Sequence, residues 1–319
     1  MQPKIKILVT GVGGPAGINI TRLLRQRDDV FVVGCDVDAT ASGQLFVDEF
    51  VISPYVRHEA AYKTWMQEIV STHGFHIVIP TVHEELPLLA TFASELSALV
   101  PLSGLATLAL GADKFAAYEW MSAHLPQYAS RFISLKDWTS AWSADESLFI
   151  KPRAGRGARG CKVVTHAELT FLQSNDEHPE DIVVMELLPG TEWTVDVYIG
   201  IDGQIVYLIP RERSALAGGI SIKGKTVRHE AVTLATKAFI SQLDMRGPVC
   251  IQWKADISGR PKFVEINPRL SGGLMISMAG GVNPVTALIE EYQGQTPVEQ
   301  VWEEVTSVGY LEYQILNKK

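Results

Sequence analysis

The chain contains 319 residues, of which 46% are hydrophobic and 20% are charged. This composition is typical of a folded globular protein and excludes a chain that is disordered over most of its length. Lys and Arg number 28 against 36 Asp and Glu, which gives a formal net charge of −8. That balance argues against a surface that neutralises nucleic-acid phosphates, so no nucleic-acid partner is expected. At about 150 residues per domain, the length predicts about two domains.

The three cysteines, Cys35, Cys161 and Cys250, are far apart and show neither a Cys-x-x-Cys spacing nor a Cys/His ligand pattern. They predict neither a disulfide framework nor a structural zinc site, and they are typical of a reducing compartment. No apolar run reaches the roughly 18 residues that a membrane span needs, and the first residues turn to glycine too early for a signal peptide. The sequence therefore predicts a cytoplasmic protein without a membrane partner.

The first hundred residues alternate short apolar runs with helical patterns. The predicted elements, in chain order, are a strand at 5–10, a helix after Gly17, a strand at 30–36, a helix at 58–73 and a strand at 77–80. Strands that alternate with helices in this way indicate a parallel sheet. We therefore predict a doubly wound α/β domain over residues 1–100.

A first glycine cluster, GVGGPAG at residues 11–17, follows the first strand, and Asp36 ends the second strand. In NAD(P)-dependent oxidoreductases, such glycines let backbone N–H groups approach a pyrophosphate, and such an acid binds a ribose hydroxyl. Any doubly wound domain also needs a tight turn here, and an organic acid or a phosphate is a further candidate ligand. Because no later segment is typical of hydride transfer, the tight turn without a dinucleotide is the favoured interpretation.

The remaining two-thirds of the chain is predicted to form antiparallel hairpins. Its clearest elements are a hairpin of strands 193–199 and 205–209 that turns at Asp202-Gly203, a helix at 226–242, strands at 249–255 and 262–266, and a helix at 284–292. Alternation of apolar and polar residues and the Asp-Gly turn support the first hairpin. Residues 216–225 are predicted to be flexible. We therefore predict an α+β domain with antiparallel sheets over residues 101–319.

A second glycine cluster, RAGRGARG at residues 153–160, lies between two predicted strands rather than between a strand and a helix. That context excludes a Rossmann turn, and the cluster lacks the Gly-Lys-Ser/Thr of a P-loop. It is typical of a hairpin lid whose backbone N–H groups cover a polyphosphate, with Lys151 as a point charge on the preceding strand. Arg156 and Arg159 would add positive charge to this lid.

Three polar residues near the end of the chain are spaced as metal ligands. Glu265 and Asn267 are two residues apart on a predicted strand, so their side chains share one face. If Ser258-Gly259 is a two-residue turn, Gln252 pairs directly with Glu265 and faces the same side. Carboxylate and amide oxygens suit Mg²⁺ or Mn²⁺, and no Cys or His joins the set to favour zinc.

In this order, the segments resemble the ATP-grasp superfamily, and within it a single ATP-grasp unit of the carbamoyl-phosphate synthase large subunit and biotin carboxylase type. The resemblance extends over nearly the whole chain. Besides the doubly wound domain and the lid, it is carried by Asp113-Lys114, IKP at 150–152, VMELLPGTE at 184–192, Gln252 and VEINPR at 264–269. The chain has one such unit, without the second active site of the synthase subunit or the swinging biotin that a biotin carboxylase serves.

The resemblance implies an organisation and a role for each matching residue. It implies a Rossmann-like pre-ATP-grasp domain at 1–100 and an ATP-grasp domain at 101–319, with a lid-bearing lobe at about 112–185 and a catalytic lobe at about 186–319. The implied nucleotide-binding residues, for the phosphates, adenine and ribose of ATP, are Lys114, Lys151, Gly155, Gly157, Gly160, Glu186, Leu187, Leu188 and Glu192. The implied metal ligands are Gln252, Glu265 and Asn267, and the implied catalytic residues are Arg269 and Lys151.

Four further residues are candidates for binding substrate. Arg211 and Arg213 share one face of a predicted strand, and Arg binds carboxylates with two parallel hydrogen bonds. The alternative is an ordinary surface Arg-Glu-Arg run. His83 and Glu84 follow a strand end of the first domain, the edge at which ligands bind in open α/β sheets.

The resemblance implies an ATP- and Mg²⁺-dependent ligase that activates a small carboxylate, first of all an amino acid, as an acyl phosphate and transfers it to an amine. ADP and phosphate would be released. The alternatives that stay open are phosphorylation of bicarbonate or carbamate, as in carbamoyl-phosphate synthase, a nucleotide-binding protein without ligase chemistry, and an NAD(P)-dependent oxidoreductase. The expected partners are the small carboxylate and the amine, and a homodimer is one candidate assembly.

Overall fold

The N-terminal apolar runs form a parallel sheet. The computed structural model describes residues 4–139, 142, 147–155 and 157–308, and its first elements are β1 Ile5–Val9, α1 Pro15–Leu24, β2 Val30–Asp36, β3 Glu49–Ile52, α2 Glu59–His73 and β4 Ile77–Ile79. All four strands are parallel, in the order β3-β2-β1-β4. The predicted strands and helices of this region are therefore confirmed. The sequence does not predict β3, because this edge strand is short and only partly buried.

Three helices connect this sheet to the rest of the chain: α3 Leu86–Ala90, α4 Leu105–Ala112 and α5 Lys114–His124. A small antiparallel sheet follows, with β5 Phe132–Ser134, β6 Leu148–Pro152, β7 Lys162–Val164, α6 His166–Asn175 and β8 Ile182–Glu186. Its strand order is β5-β8-β6-β7. Because β6 and β7 pair directly, the second glycine cluster joins the two strands of a hairpin, as its sequence context predicts.

The last part of the chain forms a six-stranded antiparallel sheet. Its elements are β9 Glu192–Ile199, β10 Ile205–Ala217, β11 Ile220–Thr226, α7 Glu230–Ile240, β12 Gly247–Ala255, β13 Pro261–Asn267, α8 Leu274–Ala279, α9 Pro284–Tyr292 and β14 Thr306–Val308. The strand order is β13-β12-β9-β10-β11-β14. The mixed α/β and antiparallel architecture agrees with the predicted fold class.

Two predictions about this part of the chain differ from the structure in detail. Residues 216–225, predicted to be flexible, form the end of β10, a turn and most of β11, since Ala217 pairs with Ile220. Gly218 and Gly219 both have positive φ, +55° and +76°, which suits a tight two-residue hairpin turn that few other residues could form. The predicted helix at 226–242 starts only at Glu230, because Thr226 still pairs in the sheet.

The parallel sheet and the six-stranded sheet share an apolar core. It joins Ile7 and Ile20 of the first domain to Tyr198 and Ile209 of the six-stranded sheet and to Leu288 of α9. This shared packing fixes the strand ends of the two sheets relative to each other. Among the described residues, no helix combines the length and the apolar character needed to cross a lipid bilayer.

Candidate active site

A cavity of about 1010 Å³ is lined by residues from all three parts of the fold. The predicted site residues that line it are His83, Glu84, Lys114, Gly155, Gly157, Arg211, Arg213, Gln252, Glu265, Asn267 and Arg269. Arg159 of the lid lines it as well, whereas Arg156 lies outside the described residues. Six predicted nucleotide-binding residues are not among its lining, namely Lys151, which is buried, Gly160, Glu186, Leu187, Leu188 and Glu192. The fold therefore brings most of the predicted residues to one place.

The candidate metal ligands lie side by side on neighbouring strands. Gln252 pairs directly with Glu265, as predicted, but the predicted two-residue turn is wrong. Lys254 pairs with Lys262, so the turn spans the three residues 257–259, and a bulge between Gln252 and Trp253 then shifts the register by one residue. The longer turn shifts the strand register by one residue and the bulge shifts it back, so Gln252 and Glu265 still pair. Three oxygen-bearing side chains thus come together on one part of the β12–β13 pair.

The surroundings of Glu265 favour its ionised form. Burial alone would raise the pKa of Glu265, but the charges of Lys151 and Lys114 hold it below its usual range. Asn267 Nδ2 donates a 3.0 Å hydrogen bond to Glu265 Oε1, and Gln252 Oε1 accepts a 2.7 Å hydrogen bond from Arg213. The described residues contain no group of three His, Cys, Asp or Glu side chains placed to hold a metal. The donor set is thus one carboxylate and two amide oxygens, hard ligands that fit Mg²⁺.

Lys151 connects the small sheet to this set of ligands. Its Nζ donates a 2.9 Å hydrogen bond to the carbonyl oxygen of Val264, and the same oxygen accepts a 2.7 Å hydrogen bond from the Tyr118 hydroxyl. Burial lowers the pKa of Lys151, and Glu265 opposes that shift. The ammonium group is therefore held against the backbone of the residue before Glu265, where the charges of Lys151 and Glu265 interact.

The start of α5 places the second lysine. Asp113 accepts hydrogen bonds from the N–H groups of Phe115 and Ala116 and so caps the helix. It also forms a bidentate ion pair with Arg153, the first residue of the lid segment. Lys114 Nζ then donates a 2.7 Å hydrogen bond to the carbonyl oxygen of Gly155. Helix start and lid are thus fastened to each other.

The lid reaches the turn of the β10–β11 hairpin. Gly155, Gly157 and Gly160 all have positive φ, a conformation that glycine adopts without the penalty of a Cβ. A methyl group on Gly219 would lie 2.9 Å from the carbonyl carbon of Gly157, so the two backbones touch. Arg213 supports that turn by donating a hydrogen bond to the carbonyl oxygen of Gly219.

The predicted adenine and ribose residues are held by contacts outside the lining of the cavity. Glu186 Oε1 accepts a 2.9 Å hydrogen bond from the N–H of Arg131, and Leu188 is buried in the core. Glu192 forms an ion pair with Arg213, and Lys254 Nζ lies 3.6 Å from its other oxygen. Arg213 therefore joins Glu192 to the candidate metal ligand Gln252.

Arg211 is buried, with only 2% of its surface exposed. Its Nε donates a 2.8 Å hydrogen bond to Asp196, and its Nη2 donates to Ser271 at 3.1 Å. Its Nη1 is buried and has no hydrogen-bond partner within the described part of the chain. The run Arg211-Glu212-Arg213 is thus not an ordinary surface run, because both arginines point into the protein.

In the first glycine cluster, Asp36 serves the turn itself. It accepts a 2.8 Å hydrogen bond from the N–H of Gly13 and one of 3.1 Å from the N–H of Asp38. Both oxygens therefore have backbone donors, as the interpretation of a tight turn expects. The turn nevertheless lines the same cavity as the candidate metal ligands.

A buried acid in the first domain is not predicted from the sequence. Glu85 is 1% exposed and accepts hydrogen bonds from the hydroxyls of Thr10 and Tyr62 and from the N–H of Val82. These donors fix the turn that carries His83. In the sequence, Glu85 stands out only as a second glutamate beside Glu84, and two adjacent glutamates by themselves indicate exposed side chains.

The comparisons with known proteins agree with this architecture. A family model described as "ATP-grasp in the biosynthetic pathway with Ter operon" matches residues 178–314, which include Gln252, Glu265, Asn267 and Arg269. N5-carboxyaminoimidazole synthetase from Staphylococcus aureus, complexed with ADP, superposes with a TM-score of 0.75 over 95% of this chain and 81% of its own. The chain has the ATP-grasp fold. The resemblance inferred from the sequence is thereby confirmed.

Two further solved structures share this ATP-grasp fold. The biotin carboxylase domain of the 2-oxoglutarate carboxylase from Hydrogenobacter thermophilus gives a TM-score of 0.73 at 16% identity, over 93% of this chain and 71% of its own. L-amino acid ligase from Bacillus licheniformis gives a TM-score of 0.71 at 15% identity, over 92% of this chain and 75% of its own. The Staphylococcus aureus synthetase is 17% identical, so all three likenesses concern the fold. No curated protein sequence matches the chain.

Proposed function

We propose that this ATP-grasp chain is an ATP- and Mg²⁺-dependent ligase. It activates a small carboxylate, first of all an amino acid, as an acyl phosphate and transfers the acyl group to an amine, with release of ADP and phosphate. The observation that carries this proposal is the position of Glu265, which lies beside Gln252 and Asn267 and is held ionised by two lysines. The proposal includes a division near residue 100, with lobes at about 112–185 and 186–319.

The nucleotide would lie between the small sheet and the six-stranded sheet. Lys114 and Lys151 would neutralise its phosphates, and the lid glycines Gly155, Gly157 and Gly160 would offer backbone N–H groups above them. The segment 186–188 would contact the adenine through its backbone, and Glu192 would bind the ribose. Because Arg213 now pairs with Glu192 and Gln252, that arginine would have to share or exchange these partners when nucleotide binds.

The chemistry follows from the charges around Glu265. Gln252, Glu265 and Asn267 would hold Mg²⁺, which supplies charge compensation for the phosphates when bound. The substrate carboxylate attacks the γ-phosphorus, and Lys151 and Arg269 stabilise the negative charge that spreads over the transferring group. Contact of the lid with the 218–219 turn would keep water away from the acyl phosphate.

The comparisons support this proposal without specifying the substrate. The structures of similar fold include a synthetase with ADP, a biotin carboxylase domain with MgADP and bicarbonate, and an L-amino acid ligase. An adenine nucleotide and a carboxylate or bicarbonate are therefore the first ligands to test. Arg211 is our candidate for binding the substrate carboxylate, because its Nη1 still has two N–H groups to donate.

The test is ADP release from MgATP in the presence of single carboxylates, with hydroxylamine as a general acceptor that traps an acyl phosphate as a hydroxamate. We expect at least one amino acid to give both ADP and a hydroxamate, and Glu265→Gln to give neither. Glu68→Gln, on the exposed face of α2, is the matched control.

ADP release with bicarbonate alone would instead support the synthase-like alternative. MgATP binding without turnover of any carboxylate would support a nucleotide-binding protein, and stabilisation by NAD(P)H alone would support an oxidoreductase.

A further inference from the structure

Nδ1 of the His83 imidazole accepts no hydrogen bond from any residue that the structure describes. His83 lies in a short 3-10 turn, residues 83–85, just after β4. Its Nε2 is 2.9 Å from the carbonyl oxygen of Gly111. Because a carbonyl can only accept, Nε2 carries the proton, and Nδ1 is left with a free lone pair in the neutral ring. Nδ1 is buried without a hydrogen-bond partner, while the residue lines the large cavity.

The packing around Gly111 brings this imidazole to the end of β13. A methyl group on Gly111 would lie 2.7 Å from Pro268 Cδ and 3.5 Å from His83 Cε1, so this glycine lies in contact distance of both residues. Pro268 directly follows Asn267 and precedes Arg269. His83 thus lies next to the part of the cavity in which the proposed phosphoryl transfer takes place.

The charges around the ring keep it neutral. Burial and the positive charge of Arg269 lower the pKa of His83, and Lys114 adds to this effect. The hydrogen bond to Gly111 and the charge of Glu84 oppose the shift without reversing it. At neutral pH, Nδ1 is therefore an acceptor for a proton. A buried acceptor without a donor is unfavourable, a penalty that an N–H group of a substrate would remove.

We propose that Nδ1 of His83 is the general base that takes the proton from the attacking amine. This inference rests on the proposed ligase function and adds a role that the ATP site does not require. The amine nitrogen forms a bond to the carbonyl carbon of the acyl phosphate, and the bond from that carbon to the phosphate oxygen breaks. An ordinary amine enters as its ammonium ion and passes one proton to Nδ1 before its nitrogen attacks. The second N–H proton that amide formation releases leaves with the phosphate, which takes the electron pair of the broken bond. The imidazolium then returns its proton to phosphate or to water.

His83→Gln isolates this role. The glutamine amide can still donate to the carbonyl oxygen of Gly111, but it offers no basic nitrogen. Hydroxylamine is largely unprotonated at neutral pH and needs little help from a base, whereas ordinary amines are protonated there. A base should therefore matter for amide formation and hardly matter for hydroxamate formation.

The experiment uses the full chain, the carboxylate found in the hydroxylamine screen, and either hydroxylamine or a set of amines consisting of ammonium chloride and the common amino acids. We expect His83→Gln to keep hydroxamate formation within about threefold and to lose about 100-fold or more in amide formation at pH 7, the range of general-base effects. The loss should shrink as the pH rises toward the pKa of the amine. His58→Gln, an exposed histidine at the start of α2, should change neither reaction.

Three results would overturn the inference while leaving the ligase function intact. They are an equal loss of both products in His83→Gln, no loss of either, and a wild-type protein that forms the hydroxamate but no amide with any of these amines. If wild-type protein releases no ADP with any carboxylate, the proposed function itself is wrong and the role of His83 falls with it. A selective loss of amide formation supports both.

Discussion

Lys151 Nζ donates a hydrogen bond to the carbonyl oxygen of Val264, the residue immediately before Glu265. The bond joins the lid-bearing sheet to the strand of candidate metal ligands, and it fixes a positive charge beside Glu265. The Tyr118 hydroxyl donates to the same oxygen from α5. One carbonyl group therefore has two donors, of which only Lys151 brings charge to the site.

Replacing these two donors should separate stability from nucleotide binding. Lys151→Met removes a hydrogen bond but also removes the cost of burying a charge, so we expect the free energy of unfolding to change by no more than about 1–2 kcal/mol. The rise in melting temperature with MgATP should disappear, because the proposed contact of Lys151 with the phosphates is lost. Tyr118→Phe should cost about 0.5–1.5 kcal/mol and keep that rise. Thermal unfolding with and without MgATP measures both effects, and a full MgATP response in Lys151→Met would contradict the assigned role.

Two neighbouring glycines test whether the lid contact matters. Gly218 and Gly219 both have positive φ, so alanine at either position carries a similar backbone penalty of about 1–2 kcal/mol. A methyl group on Gly219 would lie 2.9–3.0 Å from backbone atoms of Gly157, whereas a methyl group on Gly218 would lie within 4 Å of none of the described atoms. We therefore expect Gly219→Ala to weaken MgATP binding about tenfold relative to Gly218→Ala, measured by titration calorimetry. Equal affinities would show that nucleotide binding does not need this contact.

The sequence carries the local features of the site because they depend on neighbouring residues. Alternation along β13 places Glu265 and Asn267 on one face whatever the rest of the fold does. The sequence predicts the pairing of Gln252 with Glu265 correctly but from a two-residue turn that does not form. The turn is one residue longer, and a bulge restores the predicted pairing. A bulge depends on tertiary contacts, and here the carbonyl of Val264, the residue left unpaired by the bulge, accepts hydrogen bonds from Lys151 and Tyr118.

Contacts between distant segments are not encoded in any local pattern. The bond of His83 to Gly111 and the ion pair of Arg211 with Asp196 join residues 28 and 15 positions apart. The burial of Glu85 also depends on distant residues. Its place beside Glu84 predicts an exposed side chain, yet in the fold it accepts hydrogen bonds from Thr10 and Tyr62. For these residues, partners from other elements determine burial and chemistry.

Glu85 predicts a measurable pH dependence of stability. Burial raises the pKa of Glu85, and the hydrogen bonds that it accepts only partly oppose this shift. The folded state therefore binds the proton more tightly than the unfolded state, so this residue's contribution to stability decreases as the pH rises from about 4.3 through the raised pKa. Glu85→Gln lacks this titration, and the stability advantage of the wild type over the variant should shrink between pH 4 and pH 8. Denaturant unfolding across that range checks the sign, and a growing advantage would contradict it.

The buried pair of Arg211 and Asp196 should contribute far more to stability than an exposed pair of the same chemistry. The side chains of Arg211 and Asp196 are 3% and 4% exposed, whereas those of Arg27 and Asp29 are 32% and 53% exposed. Arg211→Ala leaves a buried, uncompensated carboxylate and should cost about 3–5 kcal/mol. Arg27→Ala should cost less than about 1 kcal/mol, because solvent screens that pair. Urea unfolding of the two variants compares the pairs directly.

A double variant then separates this structural role of Arg211 from binding of the substrate carboxylate. In Arg211→Gln with Asp196→Asn, both charges are gone, so much of the lost stability should return. If Nη1 of Arg211 binds the substrate, the KM for the carboxylate should still rise about 10-fold to 100-fold, since a hydrogen bond to a charged group contributes about 1.5–3 kcal/mol. A stable double variant with an unchanged KM would instead assign Arg211 to the core, and the search for the carboxylate site would move to Arg269.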